Sequence, residues 1–115
     1  MRACKRLPAL GKRGKEESGM PTYISLVNWT DQGIRNIRDT LDRAERSAEL
    51  AEKHGASHQL YWTVGPYDIV SIIEAPDDEA ATAYLLEIGS AGNIRTTTLR
   101  AYDREEMSGI LEKLG

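Results

Sequence analysis

Apolar and polar positions alternate first over Thr22–Trp29 (TYISLVNW), a run rich in β-branched and aromatic residues that stops at Thr30-Asp31, both favoured helix-capping types. This predicts a first strand. From Ile34 the period changes: Ile34, Ile37, Leu41, Ala44, Ala48 and Ala51 recur at intervals of three and four until Gly55, a residue suited to a left-handed stop. One long amphipathic helix is expected. Its outer face sets acids four residues ahead of bases (Asp31 before Arg35, Asp39 before Arg43, Asp42 before Arg46, Glu49 before Lys53), pairs expected to add a few tenths of a kcal/mol each. The heptad-like stripe is too short for a coiled coil, and its later positions are alanines, which suit close packing on a sheet.

Gln59 to Val64 and Asp68 to Ala75 read as two further strands joined at Gly65-Pro66-Tyr67-Asp68, where Pro66 presets the backbone angle of a turn and cannot serve a central ladder. They predict a hairpin. Asp77 then caps a second helix with Ala81, Tyr84, Leu85 and Ile88 facing inward and Gly89 ending it. Asn93 to Tyr102 is a fourth strand, and Asp103-Arg104-Glu105-Glu106 is a capping-box pattern that opens a third helix carrying Met107, Ile110, Leu111 and Leu114. The order strand, helix, strand, strand, helix, strand, helix is the α+β ferredoxin-like βαββαβ arrangement with an extra C-terminal helix.

In such a sheet one face meets the helices and the other is expected to be polar. Here it is not. Ile69, Ile73 and Ala75 are opposed by Val70 and Ile72, and Tyr23, Val27 and Trp29 are opposed by Ile24 and Leu26. A face this apolar exceeds what soluble monomers usually expose, so a second copy paired sheet to sheet as a dimeric α+β barrel is the simplest cover. The alternative cover is the C-terminal helix folding back.

At 115 residues the chain has room for one domain and one core, and its 40% hydrophobic and 29% charged content is ordinary for a soluble protein. No apolar run approaches the roughly 18 residues of a membrane span, so no membrane partner is expected. Residues 1–19 carry six Lys/Arg against two Asp/Glu, and residues 20–115 carry nine against sixteen. The first segment reads as a disordered basic extension, or as sequence upstream of a natural start at Met20, and residues 20–115 as the single folded domain. That domain is acidic, which argues against nucleic acid as its partner. Cys4 is the single cysteine, so no disulfide framework is expected, in keeping with a cytoplasmic setting.

No Walker loop and no G-x-G-x-x-G fingerprint is present, so no cofactor is expected. Nor is a metal: His54 and His58 are four apart, but Gly55 interrupts the helix between them, leaving solvated histidines. Gly89-Ser90-Ala91-Gly92 lacks the basic residues of a backbone-clamping loop and reads as a helix stop. Phenylalanine is absent, and Trp29, Tyr61, Trp62, Tyr67 and Tyr102 all carry polar tips, a bias suited either to an interface rim or to a small apolar or aromatic ligand. Asp68 opens a strand directly after a tight turn, where its carboxylate serves backbone amides or acts as a base, and Tyr67 adjoins it. Arg95 is placed to pair with Asp68 or to hold an anion, although on a strand it shares a face with Thr97 and not with Thr96 and Thr98. The candidate ligand residues are therefore Trp29, Tyr61, Trp62, Tyr67, Asp68 and Arg95, with Asp68 and Tyr67 the weak catalytic candidates.

The stretch Leu60 to Asp78 (LYWTVGPYDIVSIIEAPDD), with its Gly65-Pro66-Tyr67-Asp68 turn, and Asn93 to Tyr102 (NIRTTTLRAY) together resemble the GYD family of small bacterial and archaeal proteins. The resemblance spans about residues 20 to 107. It implies kinship with dimeric α+β barrels, and it supplies a fold rather than a reaction. Two functional readings follow. The first is a cytosolic homo-oligomeric small-ligand-binding or interaction module, similar in build to the effector-binding domains of feast/famine regulators. The other is a small cofactor-free enzyme, monooxygenase- or isomerase-like, acting on an aromatic or carbonyl compound with Asp68 as base.

Overall fold

Strand β1 occupies Thr22–Trp29 and buries every second side chain, Tyr23, Ser25 and Val27, against the helices. The structure is a computed structural model that describes residues 19–115. The expected basic extension lies outside the described residues, apart from Gly19. Thr30 caps the next helix through a bond from the Gly33 amide, but that helix, α1, spans only Asp31–Arg35.

The single long helix expected here is broken. Asn36 leaves helical geometry, a 3₁₀ turn follows at Ile37–Asp39, and α2 runs over Thr40–Lys53. The break is held by side chains: Asn36 Nδ2 donates to the Gln32 carbonyl at 3.0 Å, and Arg43 donates to the carbonyls of Asn36 at 2.7 Å and Gly33 at 3.3 Å. Arg43 is thus taken from its expected partner Asp39. None of the four expected acid–base pairs closes to within 4.0 Å, as water competes well for such exposed charges. Helix α2 ends as expected at Gly55 (φ 75°), where the amides of Gly55 and Ala56 take the carbonyls of Glu52 and Ala51 at 2.9 and 2.8 Å.

Strands β2 (Ser57–Trp62) and β3 (Ile69–Glu74) form the expected hairpin. Asp77 caps α3 (Asp78–Ser90) by accepting from the Ala80 amide at 2.8 Å, and Ala81 and Tyr84 are its buried residues. The helix continues past Gly89, and the left-handed residue that turns the chain is Gly92 (φ 90°). Strand β4 (Ile94–Ala101) is followed by α4 (Arg104–Glu112), whose capping box between Asp103 and Glu106 closes in both directions.

The four strands are antiparallel in the order β2-β3-β1-β4, the ferredoxin-like sheet. The core lies on one side of it, where Tyr23, Ile73 and Ala75 meet Ala51, Ala81 and Tyr84. Helix α4 does not fold back over the other side: Met107, Leu111 and Leu114 remain exposed. No described helix is long and apolar enough to cross a membrane.

Candidate functional site

The Gly65-Pro66-Tyr67-Asp68 turn is built as an anchor. Gly65 sits at φ 134°, a conformation that side chains disfavour. The Thr63 amide donates to the Asp68 carbonyl at 2.8 Å, Thr63 Oγ1 donates to the Tyr67 carbonyl at 2.8 Å, and Asn28 Nδ2 donates to the Pro66 carbonyl at 2.9 Å. Asp68 then ties the turn to β1: its amide donates to the Val27 carbonyl at 2.8 Å, and its Oδ2 accepts from the Trp29 amide at 2.9 Å. The carboxylate extends the β1–β3 ladder by one rung where the backbone of the turn cannot. Arg95 makes no ion pair with it. The guanidinium is exposed and reaches only the Ile94 carbonyl, at 3.4 Å.

Register settles which candidates share a face. On the side away from the helices, Gln59, Ile72, Ile24 and Leu99 align in one row across the sheet, and Tyr61, Val70, Leu26 and Thr97 in the next. Leu99 is 50% exposed, Tyr61 51% and Ile72 36%, while Ile24, Leu26 and Val70 are half-buried among them. Glu74 and Arg95 flank this apolar patch on the same face. Tyr61 and Arg95 therefore belong to the open face, whereas Trp29 and Trp62 face the helices. Tyr67 and Asp68 stay in the turn between them. The six candidates do not converge on one point, because residues of odd and even strand position are separated by the thickness of the sheet.

The helix side holds a hollow of about 250 Å³ whose lining includes Trp29, Trp62, Ser71 and Tyr84. Two small hydroxyl residues, Ser71 and its neighbour in register Ser25, form part of its floor, and Ser25 in turn pairs with Thr98. Large aliphatic side chains here would fill the space beneath the helices. Ser25 Oγ lies 3.0 Å from Thr98 Oγ1, and Trp62 Nε1 donates to Thr40 Oγ1 at 3.0 Å. Ser71 Oγ and Trp29 Nε1, both buried, have no hydrogen-bond partner among the described residues. A buried polar atom without a partner is costly, so each marks a place where a ligand atom would be welcome.

The titratable groups nearby have structural partners. His58 is not at a solvated helix exit as expected. It faces inward from β2, with Nε2 3.1 Å from Ser47 Oγ and its ring stacked 6.4 Å from that of Tyr84. Burial holds the His58 imidazole below its ordinary value and pushes the Tyr84 phenol up. His54 points elsewhere, to Glu87 at 2.8 Å. That contact, with Lys53 at 3.1 Å, lowers the Glu87 carboxyl. No cluster fit to hold a metal occurs among the described residues.

Tyr23 donates to Asp78, and burial together with that carboxylate pushes its phenol up to about 12. Arg100 lies over the rings of Tyr23 at 5.7 Å and Tyr102 at 4.5 Å. Neither this group nor the hydroxyl row was expected from the sequence. The one local signal was a serine at the middle of each of two otherwise apolar strands.

The family model of the GYD domain matches residues 23–111. A Thermus thermophilus protein, named glutamine synthetase and cystathionine beta-lyase binding protein, is 34% identical over 84 residues, which cover 71% of this chain and 88% of that protein. Two solved Mycobacterium tuberculosis structures share the fold. The leucine response regulatory protein gives a TM-score of 0.60 at 18% identity, over 84% of this chain and 60% of that one. The feast or famine regulatory protein complexed with L-methionine gives 0.61 at 15%, over 89% and 63%. The chain thus spans less than two thirds of either regulator, and at these identities the likeness is one of fold. The family match covers most of the chain and contains the Gly65–Asp68 turn, so this protein belongs to the GYD domain family.

Proposed function

We propose that the protein is a cytoplasmic, self-associating interaction module. Two copies bury their open sheet faces against each other as a dimeric α+β barrel, and the assembled particle docks onto enzymes of amino-acid metabolism. The carrying observation is the contiguous apolar surface of Ile24, Leu26, Val70, Ile72 and Leu99, which no helix or strand among the described residues covers. Helix α4 supports the same reading, because Met107, Leu111 and Leu114 offer a further apolar strip to a neighbouring copy.

The enzyme-docking part draws on the Thermus thermophilus relative, whose name records two enzymes as its binding partners. The rival reading as a cofactor-free enzyme has less support, since Asp68, its expected base, has one carboxylate oxygen engaged by the Trp29 amide and is not paired with Arg95. Sedimentation equilibrium tests the assembly, and surface plasmon resonance against the glutamine synthetase and cystathionine β-lyase of the same organism tests the docking. A concentration-dependent dimer with saturable binding to at least one enzyme is expected. A monomer at high micromolar concentration would overturn the first part, and failure to bind either enzyme the second.

A further inference from the structure

The hollow on the helix side has no part in the self-association surface, which lies on the opposite face of the same strands. Its walls are apolar, with Leu50, Leu60, Ile69, Ile73 and Ile88 among them. Among its polar groups, two places keep hydrogen-bonding capacity to spare. Beneath the helices is Ser71, 4% exposed, with its unengaged Oγ. At the other place are the unengaged Nε1 of Trp29 and the guanidinium of Arg43.

Both groups line the hollow, and short backbone contacts link the segments that carry them. Arg43 donates to the Gly33 carbonyl at 3.3 Å. Gly33 abuts the Asn93 carbonyl so closely that a Cβ would lie 2.0 Å from it. That carbonyl accepts at 3.0 Å from Thr30, the residue after Trp29. Arg43 uses only part of its donor fork on the Gly33 and Asn36 carbonyls. Arg46 also lines the hollow, whereas the one acid there, Glu87, is already paired with Lys53 and hydrogen-bonded to His54. The balance of charge favours an anion at the Arg43 end and an apolar body along the floor.

We propose that this hollow binds a small monocarboxylate with a compact aromatic or branched aliphatic body. The carboxylate accepts from Arg43 and from Trp29 Nε1, and the body lies on Leu60, Ile69 and Ile73 toward Ser71. A volume of about 250 Å³ admits a body of this size and falls below the range of larger drug-like ligands.

Both tryptophans of the chain line the hollow, so intrinsic fluorescence reports its occupancy. Titration of the full chain with phenylacetate is expected to give a saturable change, and benzyl alcohol, similar in body but uncharged, to bind about tenfold more weakly. Trp29→Phe keeps an aromatic body and removes the N–H. By calorimetry it is expected to weaken phenylacetate about tenfold while leaving benzyl alcohol unchanged. Ser71→Leu fills the floor and is expected to abolish binding of both; Ser71→Val serves if the larger side chain prevents folding, as judged by circular dichroism. The proposal is overturned if phenylacetate shows no saturable binding at millimolar concentration, or if binding survives both Trp29→Phe and a folded Ser71 variant. Equal affinity for the alcohol overturns the carboxylate assignment.

Discussion

Placing a charge in an apolar row of the open face is the sharpest perturbation of the assembly, and Leu99→Asp does so with little disturbance to the helix-side core. Leu99 is 50% exposed, next to Ile24 in the row that also holds Ile72. Complete burial of a leucine is worth about 1.5–3 kcal/mol, so covering the exposed half contributes about 1 kcal/mol. A two-fold axis repeats the contact, giving about 2 kcal/mol per dimer. The substituted carboxylate must also lose water on association, and even partial desolvation near the sheet edge adds about 1 kcal/mol or more for each copy. The sum is about 4 kcal/mol, or about a thousandfold in the dimer dissociation constant. Sedimentation equilibrium of both proteins measures this ratio directly, and thermal unfolding of the variant at low concentration checks that the subunit itself is intact. A dissociation constant within about threefold of the parent would refute the sheet-to-sheet pairing.

Three further outcomes follow from the geometry. Gly33→Ala puts a Cβ 2.0 Å from the Asn93 carbonyl, which must break the Thr30–Asn93 hydrogen bond; a loss of about 2–4 kcal/mol is expected by chemical denaturation. Asp68→Ala strands the Trp29 amide and should cost about 1.5–3 kcal/mol, while Asp68→Asn, which keeps an acceptor oxygen, should cost clearly less in the same assay. His58 is held below its ordinary 6.5 by burial, so the unfolded chain binds a proton that the folded chain resists. Stability is therefore full above that value and declines as pH falls through it; melting temperatures across this window should drop for the parent and flatten for His58→Gln.

The elements were legible because their signals are local. The cap at Asp77, the box between Asp103 and Glu106 and the stop at Gly55 each depend on residues within one turn of helix. The break at Asn36 was not legible, since the apolar spacing continues through it and Arg43, seven residues on, holds it open. Assigning alternate residues to opposite faces also worked, but the shared site around Asp68 and Arg95 did not follow from it. Whether two strand residues meet depends on order and register, which no single strand encodes. The hydroxyl row needs three strands in register before it exists at all. Trp29 and Trp62 line the hollow together with Ser71 and Arg43, two residues that carry no mark in the sequence.

Serines at the middle of two neighbouring strands leave the floor beneath the helices less tightly filled than aliphatic side chains would. Ser71, whose buried hydroxyl has no partner among the described residues, gives up no hydrogen bond on becoming valine, and Ser71→Val is expected to raise the melting point. A sturdier protein would then be one substitution away, with less room for a guest.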